Sequence, residues 1–252
     1  MPPLQGRIRK EMETSSMSIY YQDDFVTLYH GDCLDVTPRL ADLVDLIVTD
    51  PPYGVDFKSG WSAHGRIAND EGSADVRSMI LSAATKLRRG RHAYVFGDWD
   101  FANSNLTAQA QLIWDKGIVG MGDLTSPWGR SHEPITFALH QASKANRDKG
   151  FGNLSARMRR GTVLRVDRTH SGASRRHPTE KPVALLRQLV ESSSSFGETV
   201  YDPFVGVGST LIAATLEGRK SIGVELHEKY CEIAATRLQN IQSALSEMRN
   251  AA

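Results

Sequence analysis

An apolar run stopped by two prolines constrains the fold of this chain more than any other segment. Residues Val44–Thr49 are rich in β-branched and apolar side chains, which predicts a short buried strand. The tetrapeptide Asp50-Pro51-Pro52-Tyr53 follows at once. Proline cannot donate to a β-ladder and fixes its own backbone angle, so the strand must stop in a stiff turn. We therefore expect Asp50 and Tyr53 to be held with little freedom at a strand end.

Strand ends of this kind are where open α/β sheets bind their ligands. A carboxylate accepts hydrogen bonds from an amino group, and an aromatic ring stacks on a planar one. Asp50 and Tyr53 together therefore suit a planar group that carries an amine, such as a nucleobase. A motif of only four residues often occurs by chance. The alternative is therefore a plain strand-terminating turn with a solvated Asp50.

A second motif, at residues 199–210, predicts a strand, a glycine-rich turn and the start of a helix. Gly206 and Gly208 allow a ligand to approach the backbone closely. The next predicted strand, Lys220–Glu225, ends in an acid. A glycine-rich turn followed by an acid at the next strand end is typical of nucleoside-cofactor sites, where the acid accepts ribose hydroxyls. The Gly-Lys-Ser/Thr ending of a phosphate-binding loop is absent.

Together the two motifs resemble those of the amino-group DNA methyltransferases that use S-adenosylmethionine. The order is the permuted, β-type one, in which the DPPY motif precedes the cofactor motif, and the resemblance runs from about Tyr20 to Arg237. It implies an α/β fold: a doubly wound, mostly parallel sheet of the Rossmann-like methyltransferase type, with an antiparallel hairpin at one edge. Val207 and Ser209 replace the usual Ser and Thr, but both keep the turn small or uncharged.

The same resemblance assigns roles to individual residues. Asp50 and the Pro51 carbonyl would hold the target amino group, and Tyr53 would stack on a base flipped out of the duplex. The implied catalytic residues are Asp50, Pro51, Pro52 and Tyr53. The implied cofactor-binding residues are Asp32, Lys181, Asp202, Pro203, Phe204, Gly206, Gly208, Ser209, Thr210 and Glu225. For Phe204 simple core packing is an equal alternative, and His132 and Glu133 are second-rank site candidates.

The expected reaction is methyl transfer from S-adenosylmethionine to the exocyclic N6 of adenine in DNA. Transfer to N4 of cytosine is the first alternative, because both targets are exocyclic amines, and an inactive nucleic-acid-binding relative is the second. A small-molecule or RNA methyltransferase on the same scaffold also competes. Ring-carbon methylation of cytosine is rejected, because neither Cys33 nor Cys231 lies near a catalytic turn that could use a thiolate.

The charge distribution indicates a polyanionic partner. Residues 140–177 carry ten Lys or Arg against two Asp, a net +8, so the rest of a +1 chain is about −7. Such segregation is expected of a phosphate-binding surface, although a solvated loop is the alternative. In the resembled family this stretch is the target-recognition region, and double-stranded DNA is the expected partner. The candidate DNA-binding residues are Arg157, Arg159, Arg160, Arg175 and Arg176.

Composition fits one domain in a reducing compartment. Residues 19–252 are expected to form a single methyltransferase domain with 140–177 as a short basic insertion, and residues 1–18 a disordered tail. Two isolated cysteines exclude a disulfide framework and a zinc site, so no metal is expected and a cytoplasmic setting is favoured. No apolar run approaches the roughly 20 residues that span a bilayer. A homodimer and a partner restriction endonuclease stay open.

Four local predictions can be compared with the structure. Residues 112–116 and 134–139 should form the edge hairpin, and 74–87 a helix. Ser209 or Thr210 should cap the helix over residues 211–217. Residues 55–71 should form a long lid-like loop. The tryptophans Trp61, Trp99 and Trp128 are assigned to core packing in preference to base stacking.

Overall fold

The computed structural model describes residues 7–8, 17–52, 73–117, 125, 127–141, 160–168 and 180–250. Ten strands and five α-helices lie in these ranges. The strands are β1 Arg7–Ile8, β2 Met17–Gln22, β3 Val26–Gly31, β4 Val44–Thr49, β5 Leu87–Phe96, β6 Leu106–Asp115, β7 His132–His140, β8 Val163–Arg165, β9 Thr199–Asp202 and β10 Lys220–Glu225. The helices are α1 Cys33–Val36, α2 Ser73–Ala84, α3 Val183–Ser193, α4 Ser209–Leu216 and α5 Glu228–Asn250, with a 3₁₀ turn at Thr37–Arg39.

All ten strands form one sheet in the order β1-β2-β3-β10-β9-β4-β5-β7-β6-β8. The five central strands β3, β10, β9, β4 and β5 are parallel to one another. Parallel strands of this kind need crossover connections, and these place helices on both faces of the sheet. The predicted doubly wound, mostly parallel α/β sheet is therefore confirmed.

Strand β4 shows how the sequence buries both faces of the sheet. Leu46 and Val48 pack with α3 and α4 on one face, whereas Ile47 packs with α1 and α2 on the other. A strand buried on both sides has no polar face, which explains the nearly continuous apolar run that identified it. Helix α5 covers β2, β3 and α4 through Cys231, Ala234 and Leu238.

The antiparallel hairpin is present but longer than predicted. Strands β6 and β7 pair from Leu106 with His140 to Asp115 with His132, and β7 also pairs antiparallel with β5. The short strand β8 then adds parallel to β6 at the outer edge. Polar residues at the outer positions of β6 hid its first half from the apolar pattern.

Two further boundaries differ from the predictions. The expected helix over 74–87 ends at Ala84, because Leu87 already begins β5 and pairs with Val44. Of residues 1–18, which were expected to form a disordered tail, Arg7 and Ile8 lie in β1, and Met17 and Ser18 lie in β2. Strand β2 is ordered by antiparallel pairing with β3, a long-range contact that local composition does not reveal. The other residues of that segment lie outside the described ranges.

None of the described helices combines the length and the apolar character needed to cross a bilayer.

Candidate active site

The acids predicted from the two motifs meet at one edge of the sheet. Because β3, β10, β9 and β4 are parallel neighbours, their carboxyl ends lie side by side. Asp202 and Glu225 are the last residues of β9 and β10, and Asp50 follows β4 directly. Asp32 follows β3. Residues separated by more than 150 positions in the chain are thereby collected where ligands of such sheets bind.

Asp50 is held by a buried lysine. The Nζ of Lys181 donates to Oδ2 of Asp50 at 2.6 Å and lies 3.2 Å from Oε2 of Glu133. Glu133 also forms an ion pair with Lys116. Burial by itself raises the pKa of Glu133, but the charges of Lys181 and Lys116 outweigh it, so the pKa lies below its usual value. Lys181 was predicted to bind the cofactor; its observed polar partners include Asp50 of the catalytic motif, and the cofactor contact stays a prediction.

Asp202 is fully enclosed, with its carboxylate held from three sides. Its Oδ1 accepts hydrogen bonds from Thr49 Oγ1 at 2.7 Å and from the Phe204 backbone N–H at 3.0 Å. A further hydrogen bond comes from Thr210. Burial nevertheless raises the pKa of Asp202 to about 6. These contacts tie the ends of β4 and β9 to the start of α4, so Asp202 shapes the site from beneath.

Glu225 and the glycine turn form a small cradle. Its two oxygens accept the backbone N–H groups of Gly206 and His227, each at 2.8 Å. Burial raises the pKa of Glu225 to about 7. A carboxylate has about four acceptor positions, so this one keeps capacity for further donors such as ribose hydroxyls. In the described part of the chain, no atom beyond the chain neighbours of Gly206 lies within 4 Å of where its side chain would begin. Space and acceptors therefore fit a nucleoside group.

The start of α4 departs from the prediction. Neither Ser209 nor Thr210 caps the helix, because both already lie in its first turn and Gly208 occupies the cap position. Gly208 has a φ of +88°, and a Cβ there would come within 2.9 Å of the Ala234 side chain. The left-handed turn and the close packing against α5 both require glycine. Residues Ser209 and Thr210 are buried, so any contact with a cofactor stays a prediction.

An ion pair beside the glycine turn was not predicted from the sequence. Arg237 of α5 pairs with Glu180 at 2.7 Å and donates to the Val207 carbonyl at 2.6 Å. It also donates to Ser209 Oγ at 3.3 Å. This arginine locks the glycine turn to the segment that precedes α3. No local pattern singles it out, since it appears as one more charged residue of an amphipathic helix.

The remaining cofactor candidates divide into two kinds. Asp32 caps α1 by accepting the Leu34 backbone N–H at 2.8 Å and stays partly exposed at the edge. Phe204 is partly buried and packs on the core cluster of Val44, Ile47 and Tyr201, while Pro203 is buried. Phe204 thus has a packing role, and its contact with a cofactor stays a prediction. Pro51 is buried and Pro52 half-buried beside Asp50.

Several predicted residues lie outside the described ranges. These are Tyr53, the loop over 55–71 with Trp61, and the arginines Arg157, Arg159, Arg175 and Arg176. Arg160 is described, and it pairs with Glu191 and donates to Gln188 at 3.3 Å, both on α3. Both acceptors belong to the protein itself, and a DNA contact by Arg160 stays a prediction.

The other tryptophans and the cysteines bear on the chemistry. Trp99 is partly buried and donates to the Phe96 carbonyl, as core packing predicts, but Trp128 is 86% exposed and cannot be a core residue. Cys33 and Cys231 are buried, and burial raises the pKa of both thiols, that of Cys33 to about 12. Thiolate chemistry is disfavoured at both. Across the described ranges no group of three His, Cys, Asp or Glu could hold a metal.

Comparison with known proteins agrees with this geometry. A family model described as DNA methylase matches residues 130–236. The putative methylase YubD of Escherichia coli K12 is 30% identical over 227 residues, covering 86% of this chain and 92% of that protein. The chain belongs to the amino-group DNA methyltransferase family. The family recognised from its two motifs is thus confirmed, and the methyltransferase acts on DNA.

Two solved structures match the fold of this methyltransferase. The M1.HpyAVI–SAM complex has a TM-score of 0.64 at 18% identity, covering 84% of this chain and 98% of that one. The cytosine-N4-specific PvuII DNA methyltransferase has a TM-score of 0.63 at 14% identity, covering 91% and 94%. At these identities the likeness supports the fold, and it confirms the predicted Rossmann-like methyltransferase architecture.

Proposed function

We propose that this methyltransferase transfers a methyl group from S-adenosylmethionine to the N6 amino group of an adenine flipped out of double-stranded DNA. The observation that carries the proposal is the placement of Asp50, an anchored carboxylate at the end of β4, on the same edge as the Gly206–Glu225 cradle. One part of this edge suits an amine on a planar base, and the other suits a nucleoside cofactor.

The methyl donor is S-adenosylmethionine, with which the neighbour M1.HpyAVI was solved. When bound, it supplies a methyl group already activated on a sulfonium. Glu225 would hold the ribose hydroxyls, and the open face of Gly206 would admit the cofactor against the backbone. Asp32, at the end of β3, remains the candidate for the adenine end.

The protein's chemical task is orientation. Asp50 would accept a hydrogen bond from the target amino group. This contact would turn the nitrogen lone pair toward the methyl group. Forming the new N–C bond would break the bond between the methyl group and sulfur and leave a neutral thioether, and the nitrogen would release one proton through Asp50 to solvent. Well-aligned reactants gain roughly 7–11 kcal/mol of barrier lowering from proximity and orientation. A rigid Asp50 therefore supplies much of what this reaction needs.

Transfer to N4 of cytosine is the second candidate, since the PvuII enzyme with the matching fold is cytosine-N4-specific. An Asp at the first position of the DPPY motif favours adenine, whereas Ser there favours cytosine. Incubating the protein with methyl-tritiated S-adenosylmethionine and unmethylated bacterial DNA separates the two. Label in N6-methyladenine after digestion supports the proposal, and label only in N4-methylcytosine replaces it with the alternative.

Cofactor affinity should depend on pH through Glu225. The pKa of Glu225 is raised to about 7 by burial, so the carboxylate that accepts hydroxyl donors is lost as the pH falls through neutrality. Affinity should fall roughly tenfold between about pH 8 and about pH 6. Calorimetric titration of S-adenosylmethionine across this range measures it. The Glu225→Gln variant should bind S-adenosylmethionine weakly, with an affinity that is nearly independent of pH. The Glu228→Gln variant, changed at an exposed residue nearby, should bind like the wild type.

The segment between β6 and β7 is proposed as part of the DNA surface, together with the basic stretch 140–177. Its described residues adjoin the active-site edge, because the start of β7 pairs with the carboxyl end of β5. Trp128 and Arg130 are exposed on it. A ring and a guanidinium at such a position can stack on a base and contact a phosphate.

Trp128→Ala should therefore weaken DNA binding. Loss of one stacking ring costs about 1–3 kcal/mol, so the dissociation constant should rise between roughly fivefold and a hundredfold. Fluorescence anisotropy with a labelled duplex measures this. Phe196→Ala is the matched control, since Phe196 is also exposed but lies before β9, at the opposite edge. Equal effects of the two changes would remove Trp128 from the interface.

A further inference from the structure

Four charges of alternating sign run from the catalytic motif to the hairpin. Asp50 contacts Lys181, Lys181 contacts Glu133, and Glu133 contacts Lys116. They come from the end of β4, the segment before α3, the start of β7 and the residue after β6. Separate elements thus converge on one lysine, which lies between two carboxylates.

Lys181 is placed as a fixed component, not as a mobile surface cation. Its side chain is 6% exposed, and its Nζ lies 4.9 Å above the ring of Phe96 on β5. Burial works to lower the pKa of Lys181, but Asp50 and Glu133 outweigh it, so the pKa is raised and the ammonium persists. A buried ammonium group that contacts two carboxylates and the face of an aromatic ring has little freedom to move.

We propose that Lys181 is a positioning residue for methyl transfer, which holds Asp50 ionised and aimed at the target amino group, and that Glu133 with Lys116 holds Lys181 in turn. This inference rests on the proposed function. It replaces a direct cofactor contact as the main role of Lys181. The lysine acts through Asp50 and need not touch the substrate.

The geometry explains how Asp50 would act. One oxygen, Oδ2, accepts a hydrogen bond from Lys181 at 2.6 Å, which anchors that end of the carboxylate. An adjacent ammonium favours the ionised, acceptor-only form of an acid. Asp50 is thereby suited to accept a hydrogen bond from the target amine. Among the described residues, Asp202 at the end of β9 is a further charge that interacts with Asp50, and as a like charge it opposes the ionisation that the lysine favours.

The test compares Lys181→Met, which keeps the length of the side chain and removes its charge, with Lys220→Met as control. Lys220 is exposed at the start of β10, at the opposite edge of the sheet. Three quantities are measured: the single-turnover methylation rate at saturating cofactor and DNA, its pH profile, and the dissociation constant for S-adenosylmethionine. In addition, the carboxyl-carbon NMR signal of Asp50 is titrated in the protein without cofactor.

In Lys181→Met the single-turnover rate should fall by roughly ten- to a hundredfold, the size expected for loss of a charge-assisted hydrogen bond. The acid limb of the pH profile and the NMR titration of Asp50 should both move to higher pH by about one unit or more. Cofactor affinity should change little, and Lys181→Arg should recover much of the pH profile. Lys220→Met should match the wild type in every quantity.

Glu133→Gln should slow transfer less than Lys181→Met does, and the two changes together should be less than additive, because they act through one chain. The double variant also serves if Lys181→Met alone does not fold, since it leaves one fewer uncompensated acid. A normal rate with an unmoved Asp50 titration, or a loss confined to cofactor affinity, overturns the inference.

The NMR arm separates this inference from the proposed function. If the wild type methylates no DNA, the proposed function fails, and with it the role of Lys181 in transfer. If the Asp50 titration still shifts in Lys181→Met, only the electrostatic interaction between Lys181 and Asp50 would then remain supported. If the wild type methylates DNA and Lys181→Met does so equally well at every pH, the inference alone fails.

Discussion

Asp50→Ala is expected to lower the methylation rate by roughly a hundred- to a thousandfold, the usual cost of removing one preorganised polar group from a reacting centre. Cofactor affinity should stay within about twofold of the wild type, because Asp50 contacts Lys181 while the cofactor cradle is built by Glu225 and the glycine turn. The measurements are single-turnover methylation and calorimetric titration of S-adenosylmethionine.

Two companion variants sharpen this test. Asp50→Asn keeps the shape and removes the charge, so it should be nearly as slow if the ionised acceptor is what matters. Asp35→Ala removes an exposed acid from α1 and should be neutral. A large loss of cofactor affinity in Asp50→Ala would move Asp50 from the target base to the cofactor and contradict its assignment.

Gly206→Val is expected to weaken cofactor binding by at least roughly tenfold, since its side chain would occupy the space proposed for the cofactor. Among the described residues, no atom beyond its chain neighbours lies within 4 Å of a Cβ at this position, so none of them fills that space. The φ of Gly206 is +53°, which also makes a β-branched residue strained. Thermal unfolding should therefore record some loss of stability beside the loss of affinity.

Gly197→Val is the matched control for this strain. Gly197 has a φ of +79°, and no atom of the described residues lies within 4 Å of a Cβ built there, but it lies in the turn before β9, at the edge opposite the carboxyl ends of the strands. Both variants should lose similar stability, and only Gly206→Val should lose cofactor affinity. If both bind S-adenosylmethionine equally well, the glycine turn has a structural role alone.

The parts of the fold that local sequence encodes were predictable. Strand β4 is buried on both faces, so its apolar run is nearly continuous, and the prolines after it mark its end. The glycine turn and the acid at the end of β10 were also predictable from the sequence. Given alternating strands and helices, parallel topology then requires that Asp50, Asp202 and Glu225 share one edge.

Long-range pairing set the limit of prediction. Lys181 lies 131 positions from Asp50, and nothing in either segment signals their contact. Strand β2 was hidden for the same reason, since its order comes from pairing with β3. The helix cap failed for another cause: Ser209 and Thr210 are good caps by type, but the left-handed Gly208 places the cap one residue earlier.

The most direct test is nucleoside mass spectrometry of DNA from a methylation-deficient bacterial host that expresses this chain, compared with the same host expressing Asp50→Ala. N6-methyladenine with the wild type, and its absence with the variant, is the predicted result. DNA without any modified base, from a soluble protein that still binds S-adenosylmethionine, would contradict methyl transfer to DNA.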